Sequence, residues 1–259
     1  MKEISLEESL VKGSQNFCTL DICETSKPMV VRGVTSKSEI VECQKHNRDF
    51  YYIDTGYFGN FPSVGNTSGK KIWHRIVKND LQHHITKSVP EDRWSTLIKQ
   101  DPRLQWKGWK NYNQKILLVL PNPKACRYYD IDCDTWIAET TEKIKTYSDL
   151  PIEIRVKGSR SERNHGYSIY SAFDTGVYAT VSFNSIASLE SVLYGIPSFI
   201  SVPCAASPLA STDLSMLKNP FKPEQSSILN HCKTLSYGQF TQEEIMNGRA
   251  WKILNEITS

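Results

Sequence analysis

Residues 178–202 combine two strand-like runs with a short helix-like segment, and this pattern restricts the possible folds most strongly. The first run is apolar and β-branched and ends at Phe183. A polar Asn-Ser turn at 184–185 leads into apolar positions with helical spacing, and Gly-Ile-Pro at 195–197 ends the predicted helix before a second apolar run at 199–202. A strand, a helix and a strand in this order predict a parallel sheet, with ligands at the carboxyl ends of its strands.

Strand-like and helix-like runs also alternate upstream of this unit, which predicts a doubly wound α/β domain. The predicted strands are 116–120, 151–156, 177–183 and 199–202, with a helix at 134–146. Weaker signals mark strands at 28–34, 48–53 and 71–77 and helices at 1–11, 37–45 and 91–99. We therefore expect two α/β lobes, which comprise residues 1–112 and 113–240. Residues 101–114, around this boundary, are predicted to be a linker or a surface loop. The C-terminal segment, 241–259, is predicted to contain a closing helix at 241–257.

The composition is that of a folded globular protein of one large or two small domains. Of the 259 residues, 39% are hydrophobic, and no apolar run reaches the roughly 18 residues that a membrane span needs. The acidic, amphipathic N-terminus does not resemble a signal peptide. Seven cysteines without a CxxC pair predict reduced thiols and a cytoplasmic location, and the ligand spacing predicts no metal site.

The turn at 184–185 and the helix after it have the residue types of a phosphate site. Ser185 and Ser188 supply small hydroxyls at a helix start, where backbone N–H groups suit an anion. Glu190 follows within about one and a half helical turns, where a carboxylate can accept hydrogen bonds from ribose hydroxyls. The alternative is an ordinary βαβ unit with a capping serine and a solvated glutamate.

The segment FNSIASLESVLYGIPSF resembles the nucleotide-sugar motif of GT-B glycosyltransferases and related capsule-polysaccharide enzymes. That motif is a strand, an Asn-Ser or Ser-Thr turn, a helix with Glu, and Gly-x-Pro. The resemblance implies two Rossmann-like lobes with a cleft between them, and a C-terminal helix that packs back on the first lobe. It places Asn184, Ser185 and Ser188 at the donor diphosphate and Glu190 at the ribose. The implied co-substrate is a nucleotide sugar, with a UDP-sugar expected, and neither a tightly bound cofactor nor a divalent metal ion is implied.

Other segments resemble small phage-encoded proteins assigned as DNA glycosyltransferases: YYIDTGYFGN, KIWHRIVKNDLQ, ILLVLPNPKAC, IEIRVKGSRSER and CAASPLASTDLS. This resemblance implies a hydroxylated or hydroxymethylated DNA base as the acceptor. For a phage-encoded chain, it also implies the host cytoplasm as the location.

Two further segments carry residues suited to the donor. Arg155, Lys157 and Arg160 leave a predicted strand into a Gly-Ser loop, and cations of this kind can stabilise the charge of a departing diphosphate. The loop lacks the P-loop pattern, and a solvated basic loop is the alternative. Asp213 ends a loop of small residues after the last strand and could bond a sugar hydroxyl or cap a helical turn.

Glycosyl transfer with inversion needs a general base, and Asp54 is the first candidate. It follows the strand FYYI and precedes a glycine turn, a position that faces the ligand cleft in α/β folds. The alternative is a turn-forming aspartate. His74 is the reserve candidate for the base, and a packing role is its alternative.

Basic residues interleaved with aromatic residues predict a nucleic-acid surface, because bases stack on rings and phosphates pair with cations. The five basic residues of this predicted surface are Lys70, Lys71, Arg75, Lys107 and Lys110. The net charge of +3 is small, so the prediction depends on local clustering. Solvated lysines and core aromatics are the alternative.

The leading prediction is thus a glycosyltransferase that moves a sugar from a nucleotide-sugar donor to a hydroxyl acceptor, most specifically a modified base in phage DNA. One alternative is a nucleotide-sugar epimerase or a polysaccharide-synthesis enzyme of the same fold. Another is a non-catalytic nucleic-acid-binding protein, which would release no nucleoside diphosphate. The sequence predicts no oligomeric state.

Overall fold

The structure, a computed structural model, describes residues 5–15, 17–59, 73–85, 87–156 and 169–258. The chain forms two compact units. One unit combines Met1–Asp101 with Cys232–Ser259, and the other is Pro102–His231. The boundary therefore lies before residue 102 and not at 112, and residues 232–240 belong with the N-terminal part of the chain.

The first unit contains a mixed sheet with strand order β1-β2-β3-β8 among the described residues. These strands are β1 (Met29–Arg32), β2 (Phe50–Thr55), β3 (Trp73–Lys78) and β8 (Gln239–Thr241). Strands β1 and β2 are parallel, whereas β3 is antiparallel to both of its neighbours, β2 and β8. Neither β8 nor the antiparallel pairing was predicted from the sequence.

The second unit has a parallel sheet with strand order β5-β4-β6-β7 among the described residues. Its strands are β4 (Lys115–Val119), β5 (Ile152–Arg155), β6 (Val177–Ser182) and β7 (Ser198–Ile200). Side chains of β4 pack into clusters on both faces of the sheet. A central parallel strand that is buried on both faces has a continuous run of apolar residues in the sequence. This run made the sheet predictable from the sequence. The predicted α/β class is confirmed.

The helices connect and cover these sheets. In the first unit they are α1 (Leu6–Gly13), α2 (Lys37–Lys45), α3 (Asp92–Gln100), α9 (Gln242–Met246) and α10 (Arg249–Thr258). In the second unit they are α4 (Pro123–Tyr128), α5 (Cys133–Tyr147), α6 (Ile169–Phe173) and α7 (Ala187–Tyr194). Helix α8 (Gln225–Tyr237) carries the chain from the second unit back into the first. No helix of the described ranges combines the length and the apolar character needed to cross a membrane.

The predicted closing helix at 241–257 is two helices. Thr241 caps α9 through a capping box with Glu244. Gly248 then adopts a φ of +84°, a left-handed conformation that ends the helical path before α10 begins. Helices α1 and α10 pack on one face of the first sheet, where Leu10 and Trp251 share a core with Tyr51 and Ile76.

The prediction that all cysteines are reduced is wrong for one pair. Cys126 of α4 and Cys133 of α5 form a disulfide, with their Cα atoms 5.9 Å apart. The tight turn between the two helices brings the Cα atoms within the range that a disulfide requires. Sequence spacing alone does not reveal such a turn. Cys18, Cys23, Cys43, Cys204 and Cys232 are free thiols.

Candidate functional site

The second sheet has a switch point between β4 and β6. The chain runs from β4 outward to β5 and then returns to β6 on the other side of β4. In open α/β sheets, ligands bind outside the carboxyl ends of the strands at such a point. Residues 120–122 follow β4 and residues 183–186 follow β6, and we call these two turns the β4–β6 edge.

Polar residues occupy both turns of the β4–β6 edge. Asn122 is exposed, and its Oδ1 accepts a hydrogen bond from the N–H of Lys124 at 2.9 Å. Ser185 is half-buried, and its N–H donates to Ser182 Oγ at 3.2 Å. Ser185 and its neighbour Asn184 were predicted from the sequence, whereas Asn122 was not. An Asn-Pro pair directly after a buried strand was the available signal.

Backbone donors in the first turn of α7 already have partners, contrary to the expectation that they would be free for phosphate. The N–H of Ala187 donates to Ser185 Oγ at 3.2 Å, and the N–H of Ser188 donates to the Ser185 carbonyl at 3.1 Å. The next two N–H groups donate to the Ile186 carbonyl at 3.0 and 3.1 Å. A phosphate at this edge would therefore have to bind mainly to the Asn184-Ser185 turn that precedes the helix.

Hydrogen bonds between hydroxyl groups connect α7 to β6, and the hydroxyl of Ser188 forms one of them. Its Oγ is fully buried and lies 2.7 Å from Ser182 Oγ. One helical turn later, Ser191 Oγ lies 2.9 Å from Thr180 Oγ1. Residues two apart on a strand share a face, and residues three apart on a helix also share a face, so the two pairs align. This position places Ser188 in the strand–helix interface, so its predicted contact with the diphosphate is not supported.

Glu190 is the fourth residue of α7, and only 8% of its surface is exposed. This burial excludes the alternative of a solvated glutamate. All eight residues of α7 are buried, and Glu190 interacts with other groups of the chain. A carboxylate is seldom buried without polar partners, and the positive end of the helix dipole stabilises one in the first turn. The carboxylate is therefore buried in the first turn of α7, which follows the turn at 184–185.

The other residues that were predicted to contact the donor are not part of the β4–β6 edge or lie outside the described residues. Arg155 ends β5 in register with Val119 of β4, so it is separated from β6 by two strand spacings, or roughly 10 Å. Lys157 and Arg160 lie outside the described residues. Asp213 is a helix cap, because its carboxylate accepts hydrogen bonds from the N–H and the hydroxyl of Ser215 at 2.9 and 2.7 Å. These hydrogen bonds from Ser215 lower the pKa of Asp213.

Asp54 is tied to its neighbours on β2 and β3. Its Oδ2 accepts hydrogen bonds from Tyr52 Oη at 3.0 Å and Arg75 Nη2 at 3.2 Å, and its Oδ1 accepts one from the Thr55 N–H at 2.7 Å. Donors of this kind favour the charged form of a carboxylate and weaken it as a base. The arrangement supports Asp54 as an anchor for Arg75 more than as a general base.

His74 lies on the opposite face of the first sheet from Asp54. The antiparallel register pairs Asp54 with Arg75 and Thr55 with His74. Because successive strand residues point to opposite faces, His74 shares the face of Ile76, which belongs to the core under α1 and α10. The side chain of His74 is buried and interacts within the chain. Asp54 and His74 therefore cannot serve as alternative bases at one site.

Of the predicted nucleic-acid surface, the structure describes Arg75 in the first unit and Lys107 and Lys110 in the second. Lys70 and Lys71 lie outside the described residues. Arg75 is paired with Asp54, and its side chain is only 14% exposed between the rings of Tyr52 and Tyr57. Such a guanidinium is not presented to a phosphate.

Lys107 and Lys110 belong to the second unit. Their ammonium groups lie 5.0 and 5.9 Å from the ring centre of Tyr194, the last residue of α7. Helix α7 is about 12 Å long, so these lysines lie at the end of the helix opposite the β4–β6 edge.

The described ranges contain no group of three or more His, Cys, Asp or Glu side chains placed to hold a metal ion.

Comparison with models of known families finds no match, and a search of curated proteins also finds none. Solved structures do match. One is KpsC of Thermosulfurimonas dismutans, a β-Kdo 2,4 transferase, which is 10% identical over 79% of this chain and 78% of that chain, with a TM-score of 0.47. A likeness of this size does not identify a function.

Proposed function

We propose that the chain is a glycosyltransferase that binds a nucleotide sugar at the β4–β6 edge and transfers the sugar to a hydroxyl acceptor. The observation that carries this proposal is the buried carboxylate of Glu190, held in the first turn of α7 directly after the polar turn at 184–185. A buried acid beside a switch-point turn suits a ligand with a phosphate and a hydroxylated ring. The motif at 183–199 supports the same reading.

In this proposal the diphosphate is bound by the side chains of Asn184 and Ser185, whose amide and hydroxyl groups can donate hydrogen bonds. Glu190 lies five residues beyond Ser185, which corresponds to roughly 7.5 Å along a helix. The ribose would occupy that distance. A carboxylate has about four acceptor positions, so Glu190 can bond ribose hydroxyls while it keeps contacts within the chain. Asn122, in the turn after β4, caps α4 through its Oδ1, and in this proposal its Nδ2 amide group would orient the donor.

The first test measures donor binding to the Glu190→Gln variant. Titration calorimetry with UDP and UDP-sugars should show a loss of roughly 10- to 150-fold in affinity, because a hydrogen bond to a charged group contributes about 1.5–3 kcal/mol. In a thermal-shift assay of the parent, ligand at about 100 times Kd should stabilise the protein by roughly 2.7 kcal/mol.

A second variant of the proposed site and two control variants accompany this test. Ser185→Ala should also weaken binding. Ser188→Ala should reduce stability by about 1–3 kcal/mol with little change in affinity, because it removes a buried hydrogen bond. Glu142→Gln changes an exposed carboxylate on α5 and should leave affinity unaltered. Equal affinity of the Glu190 variant and the parent would refute the assigned site.

For the acceptor we propose the hydroxylated DNA base that the phage resemblance implies. The assay incubates the protein with a UDP-sugar and duplex DNA that carries hydroxymethylated bases, and it measures sugar mass on the DNA together with released nucleoside diphosphate. Donor binding with sugar transfer only to a carbohydrate acceptor would retain the transferase and exclude the DNA acceptor. An epimerase would instead convert the sugar without releasing the nucleotide.

A further inference from the structure

The outer strand of the second sheet exposes apolar side chains. Among the described residues, β4 is the one strand that pairs with β5, so the other edge of β5 presents backbone N–H and C=O groups. Ile154 is 52% exposed, and Val156, which directly follows the strand, is 69% exposed. A strand whose edge is unpaired is a template for pairing with another chain.

The two faces of β5 differ in character. Ile152, Ile154 and Val156 alternate with Glu153 and Arg155, so the apolar side chains share one face and the charged side chains share the other. On the apolar face, Ile152 and Ile154 line a groove of about 440 Å³. Thr141 and Lys145 of α5 and the turn 148–151 form the rest of its wall.

We propose that β5 pairs antiparallel with β5 of a second copy of this chain, around a two-fold axis at Ile154. Residues directly opposite each other in antiparallel strands lie on the same face. A two-fold axis must therefore lie at a residue and not between two residues. An axis at Ile152 would bring Pro151, which lacks a backbone N–H, into the ladder, so the axes to compare lie at Glu153, Ile154 and Arg155. An axis at Glu153 or at Arg155 sets that charged residue opposite itself, and like charges directly opposite each other are destabilising.

The axis at Ile154 gives opposite charges on the charged face. It sets Glu153 opposite the partner's Arg155, and symmetry repeats this pair on the other side of the axis. Glu153 already contacts Lys115 of its own chain at 2.5 Å, and Arg155 also has contacts within its chain. These contacts need not be lost, because a guanidinium has five N–H donors and a carboxylate accepts several hydrogen bonds.

The same axis also buries the apolar face. Ile154 lies opposite the partner's Ile154, and the partner's Val156 lies opposite Ile152, at the groove. One register thus pairs the charges and covers the exposed apolar side chains together. The two sheets would then join into one continuous sheet across the two copies.

The test reverses the charges at positions 153 and 155, singly and together. The dimer dissociation constant of each variant is then measured by sedimentation velocity and light scattering over a range of protein concentrations. We expect a dimer for the parent chain. Glu153→Arg and Arg155→Glu should each raise the dimer dissociation constant by about ten-fold or more, because each sets like charges opposite each other twice per interface. The double variant should regain the parent's dissociation constant, since the opposite charges return in reversed order. A variant that simply failed to fold would not be rescued in this way.

Two further variants serve as controls. Lys115→Met removes the partner that Glu153 has in its own chain and should leave dimerisation unchanged. Val156→Lys should disrupt the dimer from the apolar face. A chain that stays monomeric at all concentrations would overturn the proposal. So would a dimer that none of the β5 variants affects.

Discussion

His83 is a half-buried histidine whose surroundings disfavour its charged form. Its Nε2 lies 2.9 Å from the Gly238 carbonyl, and a Cβ atom added at Gly238 would approach the ring to 2.2 Å. Burial lowers the pKa of His83 from 6.5 to about 4, and the nearby Arg75 guanidinium also lowers it. The ring is therefore packed as a neutral hydrogen-bond donor.

We expect this histidine to make stability depend on pH. Between about pH 4 and pH 6.5, the unfolded chain binds a proton at His83 that the folded chain does not, so stability rises with pH across this window. The slope from one group is at most about 1.4 kcal/mol per pH unit. Urea unfolding from pH 4.5 to 7.5 measures it. His83→Gln should flatten the slope, while His84→Gln, which alters an exposed ring, should not. Identical slopes for all three proteins would contradict the assignment.

At the scale of single residues, the sequence predicted the polar turn and the glutamate but not which serine faces solvent. Ser185 and Ser188 are both small hydroxyl residues at a helix start. Only the rotation of α7 about its axis decides that Ser188 points at Ser182. For Asp54, the sequence did not reveal Arg75 as an antiparallel neighbour, and that neighbour changes the chemistry of the carboxylate.

Among the elements, α7 depends on the glycine at its end. Gly195 has a φ of +92°, and a Cβ atom there would lie 1.9 Å from the carbonyl oxygen of Gly108. The N–H of Lys110 donates to the Gly195 carbonyl at 2.7 Å. The segment 102–112 therefore packs directly across the end of α7, which explains why it belongs to the second unit.

Gly195→Ala should destabilise the protein by about 3 kcal/mol or more, because a left-handed alanine costs about 1–2 kcal/mol and the steric overlap adds to it. Gly33→Ala is the matched control. Gly33 also has a positive φ, +67°, but the nearest atom to an added Cβ lies 3.9 Å away. Gly33→Ala should therefore lose only the roughly 1–2 kcal/mol of stability that a left-handed alanine costs. Chemical denaturation of the two variants tests the difference, and equal losses would show that the contact with Gly108 relaxes without cost.

Element prediction succeeded where strands were long and buried and failed where pairing was distant in sequence. Strand β4 is a continuous apolar run after Lys115, and β6 is rich in apolar and β-branched residues. By contrast, β8 has three residues, which is too short for a periodic pattern, and it is defined by its pairing with β3. The disulfide between α4 and α5 was missed for a related reason, since it depends on a turn that carries no distinct signal.

For the molecule as a whole, Arg93 joins parts of the first unit that are far apart in sequence. Its side chain is buried and donates to both carboxylate oxygens of Glu244 at 2.6 and 3.1 Å. It also donates to the carbonyls of Ser236 and Gln239 at 2.9 and 2.5 Å. Burial alone would raise the pKa of Glu244, but the hydrogen bonds of Arg93 and the other partners outweigh it, and the pKa is lowered.

Arg93→Met should destabilise the protein by about 3–5 kcal/mol, because it leaves the partly buried Glu244 carboxylate with only the exposed Arg249 guanidinium, 3.6 Å away, as a cation. Glu244→Gln and the double variant complete a double-mutant cycle, measured by urea unfolding at pH 7. The coupling energy should shrink as pH falls, because Glu244 contributes stability above its unfolded pKa and loses that contribution as it is protonated. A coupling energy near zero at pH 7 would show that the two side chains act independently.

The two-unit organisation was predictable, but the boundary was not. Residues 102–112 have no periodic pattern, so the sequence indicated a linker, whereas their backbone and rings pack in the second unit. The assignment of residues 232–240 to the first unit required the pairing of β8 with β3, which no local pattern indicates.

That pairing also fixes an order of events during protein synthesis. The ribosome releases residues 1–101 first, and the strand that completes their sheet emerges only after the whole of the second unit. At ordinary translation speeds this delay is on the order of ten seconds. During this time one edge of β3 is unpaired, and Tyr51 and Ile76 lack the cover that α10 later provides. Residues 1–101 therefore expose a strand edge and part of their core until residues 239–258 have been synthesised.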